Sequence, residues 1–151
     1  MKKILELITE EIKKAFEECQ YDKKLGKVVV SNRPDLCQYQ CNGAMAGAKL
    51  YHKAPITIAN DVVEKIKESK MFSLVEAVNP GFINMNLNNE FVAQYLNEMK
   101  NAQKLGCENE KEQTIVVDYG GANVAKPLHI GHLRSAVIGE SVKRITRYMG
   151  N

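Results

Sequence analysis

The residues best suited to chemistry lie in the last part of the chain. His129 and His132 are three positions apart, with Gly131 between them, and Lys126 lies three residues before the first histidine. Residues three apart on a helix share a face, so both imidazole rings can lie on one side. Two imidazole donors near a helix N-terminus stabilise charge that grows on a phosphate. Lys126 adds a point charge, and Gly131 leaves room for a planar base to rest on the backbone.

The segments around the histidines predict how they are positioned. The apolar run Thr114–Tyr119 is typical of a buried parallel strand, and the apolar spacing of residues 130–149 predicts a helix. Strand, glycine-containing loop and helix form the first unit of a doubly wound α/β fold, in which ligands bind beyond the carboxyl ends of the strands. Asp118, Gly121 and Asn123 all lie at that end. The spacing matches neither GxxxxGK[ST] nor GxGxxG.

A metal site is not indicated, because Cys107 is the only other ligand near the two histidines and a zinc site needs more. The four cysteines form no CxxC pair. The chain shows no secretory signal and no apolar run of membrane-spanning length. We therefore expect reduced thiols, a cytoplasmic location and no membrane partner. The net charge of +3 does not by itself indicate a nucleic-acid partner.

The rest of the chain alternates between helical periodicity and short apolar runs. The predicted elements are a helix over 4–19, a buried strand over 27–31, a helix over 38–53, a helix from Asn60, a β-hairpin over 73–87 and a helix from 88 or 89 to 106. The hairpin turn is Asn79-Pro80-Gly81. Gly43 and Gly47 lower the helix propensity of the second predicted helix. The expected benefit of the two glycines is that a neighbouring element can approach the helix closely.

The second strand of the hairpin has two different faces, because side chains alternate along a strand. One face is apolar and is predicted to enter the core: Ile83, Met85 and Leu87. The other carries an aromatic ring and two amides: Phe82, Asn84 and Asn86. The structural alternative is that Phe82 packs under the neighbouring helix and Asn84 caps a turn. An aromatic ring and amides on one face also suit single-stranded RNA bases, which stack on rings and hydrogen-bond to amides.

Three segments resemble one known family. His129–His132 spells HIGH, the motif of class I aminoacyl-tRNA synthetases, and residues 121–139, GANVAKPLHIGHLRSAVIG, closely resemble the arginyl-tRNA synthetase version of it. Residues 35–49, DLCQYQCNGAMAGAK, and 79–87, NPGFINMNL, resemble the N-terminal domain of the same family. The resemblance covers nearly the whole chain and identifies it as an N-terminal fragment of an arginyl-tRNA synthetase.

The resemblance implies an enzyme that activates arginine with ATP and Mg²⁺ and esterifies it to tRNA(Arg). In that family the histidines matching His129 and His132 contact the ATP phosphates, and the glycine matching Gly131 faces adenine. Lys126 would compensate for a lysine that many members lack in a later loop. No residue is expected to bind a metal permanently, and the fragment is expected to hold no cofactor.

The resemblance also assigns the arginine and RNA contacts. Asn123 would hold the backbone end of arginine, with Asp118 and Gly121 nearby. Many members have Ser-Pro-Asn where this chain has Gly121-Ala122-Asn123, so a contact by that serine side chain is missing here. The residues implied to touch the tRNA D-loop are Asn79, Phe82 and Asn84.

The fold expected is an α+β N-terminal domain, with helices packed on a small antiparallel sheet, followed by the first strand, loop and helix of a Rossmann-like catalytic domain. We place the N-terminal tRNA-binding domain at 1–88, a connecting helix and linker at 89–113, and the truncated catalytic domain at 114–151. An unpaired apolar strand is a pairing surface, so the residues after about Cys107 are predicted either to dock differently from the family or to pair with another copy, through the strand 114–119.

Three functional hypotheses remain open from the sequence. The first is a fragment of an arginine–tRNA ligase, inactive alone in arginine adenylation. The second is a non-enzymatic RNA-binding module that uses only the hairpin surface. The third is a different HIGH-type nucleotidyltransferase, which would leave the first hundred residues without an explanation.

Overall fold

The predicted hairpin lies within a four-stranded antiparallel sheet. In the computed structural model, which describes residues 1–109, 111–121 and 127–151, the strand order is β1-β2-β4-β3. The strands are β1 (Val28–Val30), β2 (Tyr39–Cys41), β3 (Phe72–Val78) and β4 (Phe82–Leu87). The turn Asn79-Pro80-Gly81 joins β3 to β4, so the hairpin is confirmed.

Five α-helices accompany the sheet within the described residues. They are α1 (Ile4–Glu18), α2 (Gly43–Tyr51), α3 (Pro55–Ile66), α4 (Asn89–Asn101) and α5 (Ile130–Met149). Short 3-10 turns occupy Lys23–Leu25 and Gln103–Gly106. Within the described part, none of the helices combines the length and apolar character that a membrane crossing requires.

The chain divides into two compact units, Lys2–Asn97 and Glu98–Asn151 with Met1. The core of the first unit lies between α1, α3 and one face of the sheet. Amphipathic α1 buries Ile8, Ile12 and Phe16 completely, and β4 contributes Ile83 and Met85. The predicted sorting of the two β4 faces is therefore confirmed, and so is the α+β architecture of helices on a small antiparallel sheet.

The helix predicted over residues 38–53 is wrong in its first part. Tyr39–Cys41 form β2, which pairs with β1 on one side and β4 on the other, and α2 begins only at Gly43. Cys41 continues the apolar spacing of α2, so the sequence pattern alone extends the helix too far. Hydrogen bonds from two neighbouring strands stabilise the extended conformation instead.

Two further boundaries differ from the sequence expectations. The strand β1 is an edge strand rather than a buried one, since Val29 and Val30 are 41% and 63% exposed. The helix expected from Asn60 begins five residues earlier in the chain, at Pro55. Proline is favoured in the first turn because its missing N–H has no intrahelical partner there.

In the second unit, the predicted helix α5 forms but the predicted strand does not. Thr114–Tyr119 has no strand partner in the described part of the chain, and Val116 is 87% exposed. A strand needs a neighbouring strand to satisfy its backbone groups, and local apolar character does not replace one. Apolar residues along α5 are also exposed, as Leu133 and Ile145 show. Gly150 ends α5 in the left-handed conformation.

Candidate functional site

The first turn of α5 is closed by the two histidines themselves. The backbone of His129 is extended, with φ −135° and ψ 175°, as is usual for the residue that precedes a helix. Its Nδ1 accepts a hydrogen bond from the Gly131 backbone N–H at 3.1 Å. The His132 Nδ1 accepts one from the His129 backbone N–H, also at 3.1 Å. The pair thus forms a capping box. The His129 imidazole replaces the usual Ser or Thr hydroxyl, and the His132 imidazole replaces the usual Glu carboxylate.

These hydrogen bonds determine which ring nitrogen carries the proton. A backbone N–H only donates, so the Nδ1 of both His129 and His132 must be an unprotonated acceptor. In each neutral ring the proton therefore resides on Nε2. The two ring centroids are 4.1 Å apart, which confirms that the rings lie together on one side. The helix start consequently holds two Nε2–H donors close to each other and to the positive end of the α5 dipole.

An open cleft of about 580 Å³ lies beside this helix start. Its lining includes the backbone of Gly120 and Gly121 and the side chains of His129, His132 and Ser135. Gly131 has a local reason to lack a side chain, because a Cβ there would lie 2.9 Å from the His129 ring carbon Cε1. Any larger residue would therefore push the ring out of its capping position.

The remaining predicted residues of this site are only partly brought together. Gly121 lines the cleft, whereas Asp118 is exposed and is not among the cleft residues. Asn123 and Lys126 lie outside the described residues. Among the described residues no group of three histidine, cysteine or acidic side chains could hold a metal ion.

The second candidate site is the sheet face that carries Phe82 and Asn84. Phe82 is half-buried and does not belong to the core of residues 2–97, and Asn79 in the turn is exposed. Asn84 is only 5% exposed, and its Oδ1 accepts a hydrogen bond from Gln40 Nε2 at 2.9 Å. Asn84 therefore bonds across the sheet to β2 rather than capping a turn.

Sequence reasoning missed the contribution of β2 to this face. Gln38 and Gln40 lie beside Asn86 and Asn84 on β4, and the Gln38 backbone N–H donates to Asn86 Oδ1 at 2.9 Å. The polar and apolar residues of Gln38-Tyr39-Gln40-Cys41 alternate, which is a strand signal. If the segment had been assigned to a strand instead of a helix, this alternation would have placed Gln38 and Gln40 together on one face of the sheet.

Comparison with known proteins assigns the chain to a family. A model of the arginyl-tRNA synthetase N-terminal domain matches residues 2–87, and a model of the class I (R) tRNA synthetase catalytic domain matches residues 93–151. The chain belongs to the arginyl-tRNA synthetase family. The hypothesis of a different HIGH-type nucleotidyltransferase is therefore wrong.

Relatives of the same family match over the whole chain. The arginine–tRNA ligase of Agathobacter rectalis is 57% identical over 153 aligned residues, and that of Alkaliphilus oremlandii is 54% identical over 152. Both alignments cover 100% of this chain and 26% of the relative. The chain thus spans about a quarter of the length of these arginyl-tRNA synthetase relatives.

Two solved arginyl-tRNA synthetases share the fold. The enzyme from Plasmodium falciparum matches with a TM-score of 0.60 over 99% of this chain and 29% of its own. The enzyme from Thermus thermophilus matches with a TM-score of 0.53 over 98% of this chain and 24% of its own. Both are 23% identical to this chain, and at that identity the likeness establishes the fold alone.

Proposed function

We propose that these residues form the part of an arginine–tRNA ligase that contacts the ATP phosphates and the outer corner of the tRNA. The enzyme would activate arginine with ATP and Mg²⁺ and then esterify it to tRNA(Arg). The observation that carries this proposal is the reciprocal capping by His129 and His132, which leaves two Nε2–H donors beside a glycine-lined cleft. Membership in the arginyl-tRNA synthetase family supports the choice of substrates.

The two imidazoles suit the activation step of this reaction. When the arginine carboxylate attacks the α-phosphate of ATP, negative charge increases on the phosphate oxygens. Neutral Nε2–H donors of His129 and His132 strengthen their hydrogen bonds as that charge grows, without having to release a proton. Their mutual caps hold the rings in place before the substrate arrives, so little reorganisation is needed at the moment of reaction.

We assign the remaining roles on the family pattern. Gly131 faces adenine, Lys126 adds positive charge at the phosphates, and Asn123 holds the backbone end of arginine. Asp118 and Gly121 lie near that end in the sequence pattern. In the full enzyme Mg²⁺ would enter bound to the ATP phosphates.

The hairpin face is the proposed site for the tRNA D-loop. Asn79, Phe82 and Asn84 lie at the turn and along the non-core side of β4. Phe82 offers a ring for a base to stack on, and the neighbouring amides offer hydrogen bonds. We keep the boundaries 1–88 for this domain, 89–113 for the connection and 114–151 for the catalytic part, with a cytoplasmic location.

Binding of tRNA(Arg) to the 151-residue chain tests the RNA half of the proposal. Phe82→Ala should weaken binding because it removes a stacking surface, with a loss of about 1–3 kcal/mol. Leu50→Ala is the matched control, since Leu50 is an exposed apolar residue on α2. Titration at two salt concentrations separates stacking from phosphate contacts. Equal affinities for the wild type and Phe82→Ala would contradict the proposed site.

ATP–pyrophosphate exchange tests the catalytic half. We expect no exchange above background from these 151 residues, because they match only about a quarter of the length of the relatives. Exchange above background would contradict that expectation. The alternative of a non-enzymatic RNA-binding module would gain support if tRNA bound normally while ATP left the His129 and His132 ring resonances unchanged.

A further inference from the structure

An open cleft of about 520 Å³ lies beside the edge strand β1. Its walls are α1, the 3-10 turn at Lys23–Leu25 and the residues that lead into β1. Each wall contributes one exposed lysine: Lys13, Lys24 and Lys27. A Cβ on Gly26 would lie 2.7 Å from the Lys13 Cα, so the loop packs directly against α1. The two loop lysines that flank Gly26 are therefore held beside the lysine of the helix.

The charges of these three lysines are not balanced within the fold. Among residues 2–97, the ammonium groups of Lys13, Lys24 and Lys27 have no hydrogen-bond acceptor and no ion-pair partner. Neighbouring lysines do have carboxylate partners. Lys23 Nζ, for example, lies 3.8 Å from Glu17 Oε1. Like charges that are gathered without a counter-charge repel one another, so the cleft is more stable when an anion occupies it.

The two glutamates that also line the cleft are bonded to other groups. Glu6 Oε2 accepts a hydrogen bond from the Lys3 backbone N–H at 3.0 Å. Both carboxylate oxygens of Glu10 accept from Lys2 Nζ at 2.8 Å. Lys2 and Lys3 precede α1, whereas Lys13 lies about two helical turns beyond Glu6. The positive charge of the cleft is therefore concentrated at its other end, near the 3-10 turn and β1.

The shape of the cleft favours phosphates over an acidic protein segment. An extended peptide binds a sheet edge mainly by pairing its backbone with the edge strand. The strand β1 has only three residues, and Val28, its residue in the cleft, is 3% exposed, so little backbone is accessible. Phosphates need no backbone pairing, because the lysine ammonium acts on them as a compact point charge.

The cleft lies at the edge of the same sheet whose open face is the proposed RNA site. Only β2 separates β1 from β4. Neighbouring strands are about 4.8 Å apart, so β1 lies about 10 Å from β4. An RNA strand that covers β4 and continues past β1 would therefore meet the three lysines after a short length of backbone.

We propose that Lys13, Lys24 and Lys27 bind phosphates of an RNA backbone that passes the β1 edge of the sheet. Phosphate contacts carry no sequence information, so these lysines fix where the strand leaves the sheet and hold RNA of any sequence. They are separate from the contacts proposed for Phe82 on β4. Their role rests on the proposed RNA-binding function of the hairpin face.

The decisive variant carries Lys13→Gln, Lys24→Gln and Lys27→Gln together. Fluorescence anisotropy of tRNA(Arg) binding to the 151-residue chain, repeated over a range of salt, gives the slope of log affinity against log salt. Each lost phosphate contact should make that slope shallower by about 0.7, so the variant should lose about 2. Its loss of affinity should then be about 20-fold larger at about 50 mM salt than at about 200 mM.

The matched control carries Lys49→Gln, Lys65→Gln and Lys70→Gln together. These lysines are also exposed, but they lie outside the cleft, so the control removes the same charge from other parts of the first unit. Both variants should keep the wild-type urea midpoint, because all six side chains are exposed. The control should keep the wild-type slope. An equal fall in both slopes would overturn the cleft as a site and assign the effect to net charge.

Phe82→Ala separates failure of the cleft from failure of the RNA function. If Phe82→Ala weakens tRNA binding while the cleft variant keeps the wild-type slope, the cleft role is overturned and the RNA function stands. If the wild type binds no tRNA, both fail. Polyglutamate is the second probe. A cleft variant that loses polyglutamate binding but binds tRNA normally would show that the cleft receives an acidic protein segment instead.

Discussion

At the scale of single residues, two networks in the second unit make the clearest connection between sequence and chemistry. His129 and His132 cap each other, so the residues proposed to contact phosphate also begin the helix that carries them. Glu140, one residue after Gly139 on α5, binds Tyr119, Lys143 and Arg144 and links the preceding segment to the helix. Each network gives a prediction that a single substitution tests.

His129→Ala should loosen the first turn of α5, because the Gly131 N–H loses its acceptor. Loss of an N-cap costs about 1 kcal/mol, so hydrogen exchange at Gly131 should quicken about fivefold. His129→Asn is the matched variant, since asparagine is a good N-cap and should restore most of the protection. Equal exchange in all three proteins would show that the imidazole does not cap the helix.

Acid should weaken the Glu140 network within a defined pH range. Lys143 first, and then Tyr119 and Arg144, lower the pKa of Glu140 from its ordinary 4.5 to about 2. A carboxylate whose pKa is lower in the folded form stabilises that form at pH values above its unfolded-state pKa. This stabilisation is lost as the pH falls through the folded-state pKa. The Tyr119 ring resonances should therefore shift toward unfolded positions between about pH 4.5 and pH 2.

Glu140→Gln is the control for the acid titration. Without a titrating carboxylate at position 140, the Tyr119 resonances should not depend on pH in this range. A pH dependence that persists in Glu140→Gln would assign the change to another group.

At the scale of elements, the close approach expected from Gly43 and Gly47 is confirmed, but the two glycines are not equivalent. A Cβ on Gly43 would lie 1.8 Å from the Leu25 carbonyl oxygen, which is backbone. A Cβ on Gly47 would meet the ends of the Leu25 and Ile58 side chains, at 3.1 and 3.4 Å. Side-chain ends can move aside, whereas the 3-10 turn that holds the Leu25 carbonyl cannot do so without repacking.

Gly43→Ala should therefore lower the free energy of unfolding by about 3 kcal/mol, the upper end of the cost of overpacking. Gly47→Ala should stay within about 1 kcal/mol of the wild type, because the helix propensity of alanine offsets the adjustment of Leu25. Urea unfolding followed by circular dichroism measures both. The interpretation fails if Gly43→Ala is the milder of the two substitutions.

At the scale of the whole molecule, the chain consists of two compact units that differ in how far their apolar side chains are buried. Residues 2–97 have a core shared by three helices and a sheet. In the second unit, α5 and the segment 114–119 keep apolar side chains exposed, among them Val116 and Leu133. The proposal that residues 114–119 pair with a second copy follows from this exposure and predicts a molecular mass that rises with concentration in sedimentation equilibrium.

A chain shortened to residues 1–101 should keep the urea midpoint of the first unit, because its core lies within residues 2–97. A chain shortened to residues 1–87 is the comparison. It lacks Phe91 and Val92, which pack against the core from α4, and should unfold at lower urea. Equal midpoints for the two shortened chains would show that α4 adds nothing to the N-terminal domain and would favour a boundary near residue 88.

The sequence by itself determined the features that depend on local patterns. Apolar spacing predicted α1 and α5, the turn Asn79-Pro80-Gly81 predicted the β3–β4 hairpin, and the period of two sorted the faces of β4. The HIGH segment identified the family without any geometry. Each of these depends on residues close together in the chain, so each could be inferred before any tertiary contact was known.

Tertiary structure alone decided the features that depend on distant partners. The segment Tyr39–Cys41 became a strand because β1 and β4 pair with it, while Thr114–Tyr119, with a stronger strand pattern, has no strand to pair with in the described part of the chain. The tautomers of His129 and His132 and the orientation of Asn84 follow from hydrogen bonds that spacing does not specify. Backbone groups and amides must be satisfied by whatever neighbour the fold provides, and that neighbour is often distant in sequence.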